Sequence, residues 1–152
     1  MRWVADDGGR ADAGFKGVTG DCVTRAIAIA SGQSYKRVYD DLHEAVLSCR
    51  PHMAKLELRY GQHARRHASP RTGVHRRFYE PYLFGLGFLW TPTMSIGSGT
   101  TVHLREDELP GGRLVVAVSK HLTAVIDGAI HDTFDPSRDG ERCVYGYYRL
   151  VD

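Results

Sequence analysis

An α+β fold, with helices first and an antiparallel sheet after them, follows from three features of the sequence. The first half carries two stretches with apolar residues at helical spacing, starting near Cys22 and Tyr35. The last third is rich in β-branched and aromatic residues, from Arg113 to Val118 and again from Cys143 to Leu150. Between those runs Asp127-Gly128 sits between apolar segments, a strong short-range signal for a tight β-hairpin. Helices grouped ahead of strands, rather than alternating with them, is the α+β order.

With 152 residues the chain has the length of one domain, 1–152, able to bury its own core. A hydrophobic fraction of 42% beside 25% charged residues excludes disorder throughout, and a net charge of +2 is too small to make the whole chain a polyanion binder. Cys22, Cys49 and Cys143 are odd in number and form no CxxC pair, which fits a reducing compartment. No metal and no cofactor is expected, because zinc ligands would have to come from scattered cysteines and histidines without knuckle or helical spacing. Met1 is followed by no apolar signal core and no run approaches membrane length, so a soluble, cytoplasmic protein without a membrane partner is expected, whether its gene is cellular or viral.

Residues 1–19 read as an irregular lead-in, with Trp3 and Phe15 as packing anchors. Gly20 permits a bend, Asp21 is an N-cap residue, and Val23, Ala26, Ile27 and Ala30 form the core-facing stripe of a first helix. Ser31-Gly32-Gln33-Ser34 stops it and caps a second, whose stripe is Tyr35, Val38, Tyr39, Leu42 and Val46 and which ends near Ser48. Residues 49–77 form a basic excursion with Glu57 as their one acid, read mainly as a solvated loop. Arg65, Arg66 and Arg71 are its candidates for a nucleic-acid or other polyanion contact, which is not favoured because interleaved aromatics are nearly absent. A third helix carries Phe78, Tyr82, Leu83 and Leu86, with Pro81 tolerable only in its first turn or at a kink. Phe88 to Trp90 is a short strand, and Leu104 to Leu109 one acidic helical turn closed by Pro110-Gly111-Gly112. Strands follow at Arg113–Val118, Leu122–Ile126, Ala129–Phe134 and Cys143–Leu150.

The first helix places Cys22 in its opening turn, where free backbone N–H groups and the helix dipole favour a thiolate. Cys22 reads equally as a small apolar residue at the edge of a packed helix. The hairpin supplies what a nucleophile needs, a base and a group to orient it. With Asp127 and Gly128 as turn residues, Thr123 lies opposite Asp132 and His121 opposite Phe134, so His121, Thr123 and Asp132 share one face. A bulge would reverse the faces and make Asp135, opposite Lys120, the alternative orienter. His131 points to the other face, as a structural or solvent-exposed residue.

Gly20-Asp21-Cys22 opening a helix, then His121 to Gly128 and Asp132-Thr133-Phe134-Asp135 on a hairpin, resembles the papain-like cysteine peptidase superfamily, closest to its small phage-encoded and bacterial members. The resemblance covers roughly residues 15–40 and 110–150. It implies an N-terminal helical lobe packed on a C-terminal antiparallel β-sheet, with Cys22 as nucleophile, His121 as base and Asp132 as orienter. It also implies a peptide or protein substrate and an acyl-enzyme intermediate. Papain has a glutamine six residues before its cysteine that helps to form the oxyanion hole, and Lys16 stands at that place here. The Cys22 backbone N–H with a neighbour from residues 16–20 is then the candidate donor pair, with Thr19 and Asp21 beside it. The chemistry expected is that of a cysteine-dependent peptidase, amidase or isopeptidase. Its rivals are an acyltransferase of the same fold and a non-catalytic binding or structural module that uses the basic segment.

Overall fold

In the computed structural model, residues 1–16, 20–49, 55, 58–59, 68–95, 97, 99 and 101–151 are described. They form an α+β structure with a mixed six-stranded sheet. The helices are α1 (Cys22–Ser31), α2 (Tyr35–Cys49) and α3 (Arg76–Gly85). The strands are β1 (Arg2–Ala5), β2 (Ala68–Ser69), β3 (Gly73–Val74), β4 (Phe88–Pro92), β5 (Arg113–Val118), β6 (His121–Ile126), β7 (Ala129–Asp132) and β8 (Gly146–Leu150). In the large sheet they run β1-β7-β6-β5-β8-β4, and β2 pairs with β3 separately.

The helix α1 is buried on nearly every side, because its Val23-to-Ala30 run has apolar residues on the faces turned to both β6 and α2. Its core-side residues Ala26, Ile27 and Ala30 pack with Val38 and Leu42 of α2, Leu83 of α3, and Val115, Ala124 and Tyr148 of the sheet. Gly32 ends it in the left-handed conformation, φ 76°, with its N–H returned to the Ala28 carbonyl. Arg113 donates to the Ile29 and Ala30 carbonyls at 3.2 and 3.3 Å, which places a cation at the negative end of the helix. The other face of the sheet has its own core of Leu104, Leu114, Val116, Val125, Ile130 and Val144. Alternate residues of β5 therefore enter different cores, which is why Arg113 to Val118 reads as a strand buried on both faces.

The structure departs from the expectations at several places. The lead-in is not wholly irregular: β1 pairs in parallel with β7, Arg2 beside Ala129 and Ala5 beside Asp132, so the sheet is mixed rather than antiparallel. This covers the hairpin's otherwise open edge. Trp3 is 42% exposed rather than packed, and its indole N–H donates to the Asp132 carbonyl at 3.0 Å. Pro81 lies in the middle of α3, where it removes one N–H from the ladder while Phe78, Tyr79 and Leu83 hold the helix by burial. The last strand begins at Gly146, not Cys143, and β7 stops at Asp132, short of Phe134. No described helix is long and apolar enough to cross a membrane.

Candidate active site

The hairpin has the register that its turn residues imply. Ile126 pairs with Ala129 and Ala124 with His131, and Asp127 and Gly128 both take positive φ. Asp132 is thereby set on the same face as Thr123 and His121. Its Oδ2 accepts from the Thr123 hydroxyl at 2.7 Å and lies 2.7 Å from His121 Nε2, while Oδ1 accepts from the Thr133 N–H at 2.7 Å. With Nε2 committed to Asp132, Nδ1 is the ring nitrogen left for another partner.

Cys22 and His121 line the same cleft, close enough for each to shift the protonation of the other. Burial by itself pushes the thiol up, but His121, the Leu122 backbone N–H and the Arg25 charge outweigh it, so the thiol ends below its ordinary value. Burial likewise opposes the imidazolium, yet Asp132 and Cys22 carry His121 up to about 9. Asp132 stays ionised: burial works against its charge, and the bonds from His121, Thr123 and the Thr133 N–H bring it below the usual carboxylate range. All three shifts favour a thiolate facing an imidazolium.

Asp21 precedes the cysteine without capping the helix. Its side chain makes no cap hydrogen bond but turns inward to the Arg25 guanidinium, accepts from the Tyr35 hydroxyl at 2.6 Å and lies 3.3 Å from Arg10 Nε. Arg25 in turn places Nη2 at 3.5 Å from Asp132 Oδ1. The expected cap is thus an anchor: a buried carboxylate tied through Arg25 to the carboxylate that holds the histidine. Nothing in the spacing of Asp21, Arg25 and Tyr35 points across the molecule to Asp132, which is why this link is absent from the sequence reading.

Cys22 and His121 open onto a cleft of about 750 Å³. Tyr79, Trp90 and Phe134 line it, and Arg76 and Lys120 contribute cations. The His121 and Phe134 rings stand 5.1 Å apart, as the hairpin pairing implies. Arg76 lies 4.4 Å above the Trp90 ring and is fixed by Glu80 at 2.6 Å, whose Oε2 also accepts from the Tyr148 hydroxyl. The far end of the basic excursion is more than a solvated loop. The β2–β3 hairpin is tied to α1 by the Thr24 hydroxyl on the Pro70 carbonyl at 2.6 Å, and Thr72, Gly73 and Val74 line the cleft.

Asp135 has no place beside His121; its Oδ1 accepts from the Ser137 N–H at 3.0 Å, and it faces a separate depression with Glu106 and Asp107. The hairpin has no bulge among its paired residues, so Asp132 rather than Asp135 is the carboxylate that faces His121. His131, half-buried on the other face, lies 3.5 Å from Asp6. Arg71 is exposed and donates to the Lys16 carbonyl at 3.4 Å. Thr19, Arg65 and Arg66 lie outside the described residues. The three cysteines are free, and among the described residues no three metal-ligating side chains converge. The chain matches no protein-family model, no curated protein and no solved structure, so its function is argued from these side chains.

Proposed function

We propose that this chain is a cysteine-dependent hydrolase of papain-like architecture, acting on a peptide or other amide through Cys22, His121 and Asp132. The observation that carries the reading is the convergence, at the head of one cleft, of a thiol shifted downward, an imidazole raised to about 9 and a buried carboxylate fixed to that imidazole at 2.7 Å. The order of these groups along the chain and the packing of the cysteine helix on the sheet support the papain-like comparison.

In this reading the Cys22 thiolate attacks the carbonyl carbon and a C–S bond forms as the carbonyl π electrons move to oxygen. The oxyanion sits at the head of α1, where the Cys22 backbone N–H has no partner inside the helix. When the C–N bond breaks, the electron pair leaves with the nitrogen and the His121 imidazolium gives it a proton. The thioester remains on Cys22. Neutral His121 then takes a proton from water, the hydroxide equivalent attacks the thioester, and the acid departs as the thiolate returns. Asp132 keeps the ring in place through both halves of the cycle.

The test is the pH dependence of Cys22 alkylation by iodoacetamide, resolved from Cys49 and Cys143 by mass spectrometry. Fast reaction well below the unperturbed thiol value of about 8.5, with that advantage lost in His121→Ala, is the expected result. Slow reaction that ignores His121 would make Cys22 a packing residue and end the proposal.

A further inference from the structure

The cleft beside Cys22 has an electrostatic bias that thiol chemistry does not require. Arg76, Lys120 and His121 line it together with Arg25, and among the described residues no aspartate or glutamate does. Both arginines are already engaged: Arg25 with Asp21 and Asp132, and Arg76 with Glu80, which faces the neighbouring depression. Lys120 is different. It is exposed, directly precedes His121, and no carboxylate or carbonyl among the described residues holds its ammonium group.

Its backbone adds an independent observation. Val118 pairs with His121, so Ser119 and Lys120 are the two residues of the turn joining β5 to β6, and Lys120 has φ 56°. Glycine or asparagine takes that left-handed conformation at lower cost, so turn geometry alone does not select a lysine. The strain is kept at the mouth of a cleft, beside the proposed base. The same cleft is also lined by three aromatic residues, Tyr79, Trp90 and Phe134.

We infer that the cleft selects amide substrates carrying a carboxylate next to an apolar or aromatic group, with Lys120 as the specificity-determining cation. This rests on the reading of Cys22 as a nucleophile. The carboxylate comes either from an acidic side chain or from a free chain terminus, and both present the same group to the ammonium.

The test compares Cys22 alkylation by iodoacetate and by iodoacetamide, similar in size but differing in charge. The ratio of the two rates at Cys22, divided by the same ratio for free cysteine, reads the preference of the cleft for an anion. Because it is a ratio within one protein, loss of active material cancels. The His121 imidazolium also attracts iodoacetate, so the deciding quantity is the change on removing Lys120. The ratio is expected to fall about fivefold in Lys120→Asn, which suits the left-handed turn, to persist in Lys120→Arg, and to shrink with added salt.

A ratio unmoved in Lys120→Asn overturns the inference and leaves the nucleophile reading standing. A Cys22 slow towards both reagents, with or without His121, overturns the underlying reading instead. Two competing peptides then identify the source of the carboxylate: an aromatic–glutamate peptide blocked at both ends, and an aromatic peptide with a free C-terminus and no acidic side chain. Whichever slows alkylation of Cys22 names the source, and protection by neither overturns the inference.

Discussion

Arg25 Nη2 lies 3.5 Å from Asp132 Oδ1, although 107 positions separate them in the chain. The helix that presents Cys22 therefore also grips the carboxylate that fixes His121. Any tilt of α1 against the sheet would move both ends of the site together, so packing of the cysteine helix and alignment of the histidine are one structural event.

Arg25→Met should test that grip. The guanidinium is buried, 8% exposed, and serves two buried carboxylates, so its removal strands Asp21 and Asp132 together. Breaking a buried ion pair from one side costs about 3–5 kcal/mol, to be read as a lower midpoint in urea denaturation. Adding Asp21→Asn should recover part of the loss, because one stranded charge is neutralised. A loss below about 1 kcal/mol would mean that the carboxylates find other partners.

The pH profile follows from the two shifted groups. The thiolate forms below the ordinary thiol range, and the imidazolium persists up to about 9, so turnover in the proposed hydrolysis should form a plateau that falls off near pH 9, where His121 loses the proton assigned there to the leaving amine. In Asp132→Asn the imidazolium loses its stabilising carboxylate. The alkaline limb should then move to lower pH, and kcat should drop on the order of 100-fold or more. An unmoved limb in that variant would show that Asp132 has no hold on His121.

Stability should carry the opposite pH signature from that of the carboxylate. His121 rises on folding from 6.5 to about 9, so its contribution is complete below about 6.5 and disappears as the pH climbs through 9. Asp132 is lowered from 3.8, so its contribution is present above that value and disappears in acid. In a Cys22→Ser background, where no thiolate forms on folding to offset it, the Tm advantage conferred by His121 over His121→Gln should therefore decline as the pH rises above about 6.5. A constant difference in that background would contradict the hold of Asp132 on His121.

Much of this site was legible because short-range rules fix it. A two-residue Asp127-Gly128 turn sets the register, the register sets the faces, and the faces bring His121, Thr123 and Asp132 together. A glycine-led helix start puts Cys22 in the first turn of α1. The Asp21-Arg25-Asp132 link was not legible, since Asp21 is a common capping residue and local sequence cannot distinguish a cap from an inward-turned anchor. The strand β1 escaped notice because four residues bounded by Met1 and Asp6-Asp7 carry no periodic signal, and its pairing with β7 spans nearly the whole chain. Arg76 and Trp90 belong to different elements and meet only through tertiary packing, so their place in the cleft wall could not be read from spacing either.

Gly146→Ala should show how firmly that wall is built. A β-carbon at Gly146 would collide with the six-membered ring of Trp90 and stand 2.8 Å from the Thr91 carbonyl oxygen. The indole has little freedom to step aside, because Tyr148, opposite Trp90 in the β4–β8 pairing, sits 4.7 Å from the ring and Arg76 covers it at 4.4 Å. The substitution should cost about 1–3 kcal/mol, as overpacking does, and should shift Trp90 fluorescence in a Trp3→Phe background. In Trp90→Leu the obstacle is gone, so Gly146→Ala should cost much less there, leaving a coupling energy of about 1–3 kcal/mol in the double-mutant cycle. Additive costs would mean that β8 absorbs the extra carbon by moving its own backbone, and that Trp90 is not what requires a glycine at this position.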